Sequence, residues 1–304
     1  MYLSEEQIRP HLQYEILIPA IRKALIDYSL GKVEQPLRQV IRVKDDAGEP
    51  AGWFATMPAV SGQFMAVKTV TFFPGNASIA GQPTHQAIIE LLDRATGQPL
   101  AVMDGRLITE MRTAAVSAVA LDALALRPVK TLGILGSGVQ ARSHIAALRL
   151  VQLGFCAPGA VRIWSRNPAN AVQLAASVGA AAVPIEDAAA CDVVVTVTSA
   201  TTPILLGRWL MPDSLVIGVG AVGPRLRELD DDVMRGCLVA ESRQGAEAES
   251  GDVLLSGAQI HAELGEILAG KVAAPENGRR VFKSLGMAIE DLTSAVAVWR
   301  SLGN

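Results

Sequence analysis

Residues 130–145 read KTLGILGSGVQARSHI. Leu132 to Leu135 is an apolar run of buried-strand length, and Gly136, Gly138 and Ala141 then fit G-x-G-x-x-G/A. Gly136 permits a tight turn. Gly138 lacks a Cβ, so the backbone can approach a pyrophosphate. Ala141 is small enough for a helix to pack close on the strand. A helix starting here aims unpaired N–H groups and the positive end of its dipole at phosphates. Glycines also mark ordinary turns, so a strand–turn–helix without a ligand is the plainer alternative.

Downstream of Lys130 short strands alternate with helices, the pattern of a parallel sheet. Strands are expected at 160–164, 192–198, 214–218, 238–240 and 281–286. Asn167-Pro168 is an N-cap followed by a first-turn proline, and Gly179 closes that helix. Helix returns beyond Ser250, and a final helix covers 288–302.

Upstream, Ser4 to Gln7 reads as a capping box, limited by Pro10. A helix over 13–29 carries Ile18, Ile21, Leu25 and Tyr28 on its apolar face, and Pro19 either kinks it or marks its first turn. Strand-like stretches follow at 38–43, 52–57 and 65–73, then a hairpin of 87–92 and 100–103 about a turn at 94–97. A helix over 107–126 ends at Arg127-Pro128, where the domain junction is expected. The fold class is therefore α/β: a Rossmann-type doubly wound parallel sheet domain plus a mixed α+β domain. The expected bounds are 1–127, with 288–304 packing back, and 128–287.

At 304 residues the chain exceeds one ordinary core. Charged residues make up 19% and the net charge is −3, with no basic patch, which argues against a nucleic-acid partner. Cys156, Cys191 and Cys237 stand singly in apolar surroundings, so a reducing, cytoplasmic setting is expected. His11, His85, His144 and His261 form no metal-ligand spacing. The first residues, MYLSEEQIRPHLQ, carry early acids and no apolar signal core, and the longest apolar-rich helix is too short to span a bilayer.

The end of the second parallel strand bears on cofactor choice. An acid there would bind a ribose 2′-OH and select NAD. Ser165, Arg166 and Asn167 occupy the turn instead, and an arginine can pair a 2′-phosphate. NADP(H) is thus expected, with NAD(H) possible; the alternative is a solvated Arg166. Three cations interrupt apolar stretches of the first domain: Arg38, Lys68 in MAVKTVTFF, and Arg112 before TAAVSAVAL. A charge entering a core needs a partner. No matched acid lies nearby in sequence, so an anionic ligand such as a carboxylate is expected to supply it. Taken singly, each cation could equally lie at an edge or snorkel to water.

Over nearly its whole length the chain resembles the ornithine cyclodeaminase/mu-crystallin family, and most closely the mu-crystallin, or ketimine reductase, branch. The matching stretches include QPLRQV at 35–40, VKTVTFF at 67–73, PTHQA at 83–87, AVMDG at 101–105, RTAAVSA at 112–118, GILGSGVQA at 133–141, RIWSRN at 162–167, RELDD at 227–231, SGDVLLSGA at 250–258 and VFKSLGMAIED at 281–291. The resemblance implies a homodimer, with substrate binding and dimerisation in the first domain. It implies that Arg38, Lys68 and Arg112 hold a substrate carboxylate. Cofactor contacts would come from Thr113, from Gly136, Ser137, Gly138, Val139 and Gln140, and from Ser165, Arg166 and Asn167. Thr198 and Gly220 are further candidates, and Ser284, Leu285, Gly286 and Met287 would lie near the nicotinamide.

Two departures narrow the chemistry that the resemblance implies. The cyclodeaminase branch has an aspartate where this chain has Val222, and a glutamate where it has Ala55. A cyclodeaminase must remove protons from an amine and hold a second amino group, so losing both carboxylates argues against it. The expected activity is NADPH-dependent reduction of a cyclic ketimine carboxylate, Δ1-piperideine-2-carboxylate or Δ1-pyrroline-2-carboxylate, to pipecolate or proline. The arginines would anchor the carboxylate. Lys68 would either donate a proton, order a water or act as a clamp only. An amino-acid dehydrogenase or open-chain imine reductase, an NADPH-binding crystallin-like protein without turnover, and an ornithine cyclodeaminase are the alternatives.

Overall fold

The structure, a computed structural model, describes residues 1–126 and 129–303. The chain forms two compact units, Met1–Arg112 with Met287–Asn304, and Thr113–Gly286. The expected junction at Arg127-Pro128 lies outside the described residues. The division between the units falls instead inside a helix, after Arg112.

The first unit is built on a six-stranded sheet. In chain order its elements are β1 (Tyr2–Leu3), α1 (Glu5–Ile8), α2 (Tyr14–Ser29), β2 (Gln39–Lys44), β3 (Pro50–Ser61), β4 (Phe64–Phe72), β5 (His85–Asp93), β6 (Pro99–Asp104) and the start of α3 (Arg106–Leu124). The strand order is β1-β6-β5-β4-β3-β2, antiparallel throughout except for the parallel β1–β6 pair. The Ser4–Gln7 capping box is formed. Helix α2 runs through Pro19, whose ring is exposed, so the proline neither starts nor ends the helix. Its buried face is Leu17, Ile21, Ala24 and Leu25, while Ile18 and Tyr28 are only half-buried.

Alternation fixes which side chains share the sheet's covered face. Ala55, Met57 and Ala59 on β3 stand opposite Val70, Lys68 and Ala66 on β4, and these in turn face Ala87, Ile89 and Leu91 on β5. The C-terminal helix α11 (Ala288–Ser301) packs on this face and against α2. The opposite face keeps apolar side chains in the open, with Tyr2 59%, Ile41 61% and Ile88 47% exposed.

The second unit holds an eight-stranded, all-parallel sheet. After α3 come β7 (Leu132–Leu135), α4 (Val139–Val151), β8 (Val161–Trp164), α5 (Pro168–Val178), β9 (Ala181–Ala182), α6 (Ile185–Ala189), β10 (Val193–Thr196) and β11 (Leu215–Gly218). Then follow α7 (Asp231–Met234), β12 (Cys237–Ala240), α8 (Arg243–Glu249), α9 (Gly251–Ser256), β13 (Ile260–Glu263), α10 (Leu264–Leu268) and β14 (Arg280–Lys283). The order is β13-β12-β14-β11-β10-β7-β8-β9. The chain runs outward from β7 through β8 and β9, then returns to place β10 on the other side of β7. The glycine turn after β7 therefore sits at the switch point, where such sheets bind ligands. Asn167 caps α5 through Ala169 N, and Gly179 ends it at φ +65°. Edge strands β9 and β13 are additions to the sequence reading. Gly133 is required by packing, since a Cβ there would lie 1.8 Å from the Ala188 carbonyl oxygen of α6.

Candidate active site

In the second unit, Gly136 has φ +132°, and a Cβ on it would stand 2.6 Å from the Val197 carbonyl oxygen. Only glycine fits this turn. Gly138 differs: a Cβ there would meet nothing within 4 Å. It is the N-cap of α4, and no side chain caps the helix. Val139 at the first helical position is 58% exposed. Thirteen residues of helix thus end in open N–H groups beside a glycine with space over it, which suits a phosphate. Gln140 Oε1 is a buried oxygen without a hydrogen-bond partner among the described residues.

The turn after β8 lies next to this site. Ser137 Oγ and Ser165 Oγ are 2.8 Å apart. Arg166 and Asn167 are exposed, and no acid stands among the three turn residues. These residues fit a dinucleotide, with the helix end for its phosphates and the 165–167 turn for its ribose.

Thr198 lies just beyond β10, and Gly220 follows β11. A Cβ on Gly220 would stand 2.2 Å from Thr198 O, so this glycine answers to strand packing as well as to any ligand. After β14, Ser284 Oγ donates to Glu241, whose other carboxylate oxygen accepts from Leu285 N at 2.9 Å and Gly286 N at 2.7 Å. Glu241 is buried and fixes the loop that the sequence assigned to the nicotinamide. Met287, by contrast, belongs to the first unit as the N-cap of α11. Thr113 is buried at the start of the second unit.

The three cations of the first unit come together, and here the sequence expectation needs correction. Lys68 and Arg112 are not waiting for an anionic ligand to supply their first partner. Lys68 Nζ pairs with Asp291 Oδ2 at 2.6 Å. Arg112 Nη1 pairs with Glu290 Oε2 at 2.8 Å, and its Nε with Asp291 Oδ1 at 3.2 Å. Both acids come from the first turn of α11, where the helix dipole favours negative charge. Gln35 Oε1 accepts from Ile289 N at 2.8 Å and so steadies that turn.

Arg38 is close enough for its charge to act on Lys68, so three cations gather about Glu290 and Asp291. Burial lowers the Lys68 pKa most, Asp291 pulls it back up, and Arg112 and Arg38 push it down, leaving it at about 8. A lysine ammonium has three donors, and Asp291 takes one of them. His85 lies on the same sheet face, beyond Val70 and Ala87. Burial, then the Lys68 and Arg112 charges, lower its pKa to about 4, so its ring is neutral at physiological pH. Ala55 is fully buried on this face as well, one cross-strand pair from Lys68. A glutamate there would have been a third carboxylate on the cluster's sheet face. Val222 is half-buried in the turn after β11. Among the described residues no group of three or more His, Cys, Asp or Glu could hold a metal ion, and no helix is long and apolar enough to cross a membrane.

The ornithine cyclodeaminase/mu-crystallin family model matches residues 1–303. The chain belongs to that family. Ketimine reductase mu-crystallin of Mus musculus is 44% identical, over 99% of this chain and 96% of that protein. The structure of Thermococcus litoralis Δ1-pyrroline-2-carboxylate reductase, in complex with NADH and L-proline, superposes with a TM-score of 0.91 at 32% identity, covering 99% of this chain and 97% of that one. An archaeal alanine dehydrogenase dimer with bound NAD gives 0.90 at 27% identity, covering 99% and 95%. The chain carries Gly136 and Gly138 in the turn after β7, Arg38, Lys68 and Arg112 in the first unit, and Ala55 and Val222 where the resemblance places the cyclodeaminase carboxylates.

The sequence reading overlooked Glu290, Asp291, Gln35, His85, Glu228 and Glu241. All but Glu241 stand inside stretches quoted for the family resemblance. The usable signal was an acid or amide within a run otherwise made of buried residues, as in GMAIED.

Proposed function

We propose that this protein is an NAD(P)H-dependent reductase of cyclic ketimine carboxylates. Its substrates are Δ1-piperideine-2-carboxylate and Δ1-pyrroline-2-carboxylate, and its products are pipecolate and proline. The observation that carries this reading is Lys68: a buried lysine kept charged by Asp291, grouped with two arginines. That group can both hold a carboxylate and release a proton.

Arg38 and Arg112 bind the substrate carboxylate; a guanidinium offers a planar fork that matches it. Lys68 donates a proton to the imine nitrogen. The protonated C=N carbon is a stronger electrophile, and orientation by the arginines fixes which face of it is open. Bound dinucleotide supplies the hydride that reduces this carbon. The C=N π bond becomes one C–H and one N–H bond, and Lys68 regains its proton from solvent. Asp291 makes the step feasible at neutral pH, since burial alone would drive Lys68 further towards the neutral amine.

In the second unit, Gly136 to Gln140 receive the phosphates, and Thr113, Thr198, Gly220, Leu285 and Gly286 make further cofactor contacts. Arg166 supports NADP(H) as the preferred form, with NAD(H) accepted. The open apolar face with Tyr2, Ile41 and Ile88 supports a homodimer built on that sheet. The three free cysteines support a reducing, cytoplasmic setting.

The similarity to an alanine dehydrogenase favours one second reading, reductive amination of an open-chain keto acid. Consumption of NADPH and NADH with each cyclic ketimine, and with pyruvate plus ammonia, separates the two. Ketimine reduction without added ammonia supports the first reading, and strict ammonia dependence supports the second.

A further inference from the structure

Glu228 is fully buried, yet it touches nothing that the catalytic reading uses directly except through hydrogen bonds. Its Oε1 accepts from Thr198 N and Thr198 Oγ1, both at 2.6 Å. Its Oε2 accepts from Thr196 Oγ1 at 2.8 Å, Gly220 N at 2.7 Å and Ala221 N at 3.1 Å. Five donors on one carboxylate fill its acceptor capacity. They come from the ends of β10 and β11, at and just beyond the last ladder pair, Thr196 with Gly218.

A second acid holds Glu228 in place. Asp252 Oδ1 accepts from Glu228 N and Leu229 N, each at 3.0 Å. Asp252 Oδ2 is 3.1 Å from Lys283 Nζ, which donates in turn to Ala221 O at 3.1 Å. The circuit closes on the residues where it began. Glu228, Thr196, Asp252 and Lys283 are buried and Thr198 is half-buried, so the circuit lies largely out of water.

We infer that Glu228 is the positioning residue of the cofactor site, fixing Thr198 and Gly220 without touching the dinucleotide itself. Its effect on Thr198 is specific. The hydroxyl proton is committed to Glu228, and the same oxygen accepts from Ala200 N at 3.1 Å. Thr198 Oγ1 is thereby an acceptor only towards any ligand, suited to a ribose hydroxyl or a carboxamide N–H. The inference rests on reading the second unit as a dinucleotide site.

The test is the affinity of the full chain for NADPH and NADH without substrate, read by quenching of tryptophan fluorescence, with thermal unfolding measured alongside. In Glu228→Gln either amide orientation sets an NH2 group against donors, and binding is expected to weaken about tenfold or more. Thr196→Val removes one donor to Glu228 at a fully buried residue; binding weakens severalfold, while Thr196→Ser, which keeps the hydroxyl, stays near wild type. Asp192→Asn is the control. Asp192 Oδ2 ties Lys130 N and Thr131 N, each at 2.9 Å, and so joins the opposite end of β10 to the start of β7. Its loss should lower stability and leave affinity unchanged.

A folded Glu228→Gln that binds within twofold of wild type would overturn the inference. So would equal losses in Thr196→Ser and Thr196→Val, or an equal loss in Asp192→Asn. If Glu228→Gln does not fold, the Thr196 pair decides. A wild-type chain that binds neither dinucleotide fails the dinucleotide reading itself, and the two failures are distinct.

Discussion

Lys68 Nζ lies 2.6 Å from Asp291 Oδ2, with both side chains 2% exposed, although the residues come from a central strand and the C-terminal helix. The pair joins β4 to α11 and sets the charge state of the lysine. Asp291 counters the burial that lowers the lysine pKa, which settles at about 8. An ordinary lysine would be a poor acid at neutral pH, and a fully desolvated one would carry no proton to give.

The first prediction concerns pH. If Lys68 is the proton donor, the reductive rate is high below pH 8 and falls as pH rises through it. Asp291 raises the Lys68 pKa, so Asp291→Asn should move that limb to lower pH. A kcat/KM profile for ketimine reduction in both proteins checks this, and an unshifted limb would remove Lys68 from the donor role.

Removing one member of the pair should also cost stability. Breaking a buried ion pair typically costs ~3–5 kcal/mol when the remaining charge is stranded; Asp291 keeps Arg112 at 3.2 Å, so the cost here falls towards the lower end. Lys68→Met should therefore unfold at lower urea than wild type. Lys68→Met with Asp291→Asn should cost less than the sum of the two single changes, and a double-mutant cycle from urea unfolding reads the difference. Strict additivity would mean that the contact contributes nothing to folding.

This pairing also marks where the sequence stopped being legible. The parallel sheet could be read from local signals: the run before Gly136, Asn167-Pro168 opening α5, and Gly179 closing it. The hairpin of β5 and β6 was equally clear from its alternation and turn. The partners of Lys68 and Arg112 were not, because Glu290 and Asp291 lie far along the chain and only the packing of α11 on the sheet brings them in. Counting acids near each cation in sequence was therefore misleading. Strand β13, IHAE, escaped notice because it is short, lies at the sheet edge and alternates imperfectly. Pro19 read as a kink or a first turn, but it lies inside α2 with its ring exposed.

Cofactor choice gives the third prediction. Arg166→Glu places a negative charge where a 2′-phosphate would bind. NADPH affinity should fall tenfold or more, by about 1.4 kcal/mol at least, with a much smaller effect on NADH. Titrating both dinucleotides against wild type and variant measures the ratio. Equal loss of both would remove Arg166 from cofactor selection.

Assembly can be tested at the uncovered sheet face. Ile41→Lys with Ile88→Lys puts two charges on exposed side chains of the first unit's sheet. Buried in a dimer interface, such unpaired charges are costly; on a free surface they are close to neutral. Sedimentation velocity should give a dimer for wild type and a monomer for the variant, with monomer thermal unfolding still cooperative.

The most direct measurement is the oxidation of NADPH by the purified chain with Δ1-piperideine-2-carboxylate or Δ1-pyrroline-2-carboxylate, without ammonia. The account predicts steady turnover to pipecolate or proline, lost in Lys68→Met although that protein still binds NADPH. No turnover with either ketimine, together with ammonia-dependent reduction of pyruvate or ammonia release from ornithine, would contradict it.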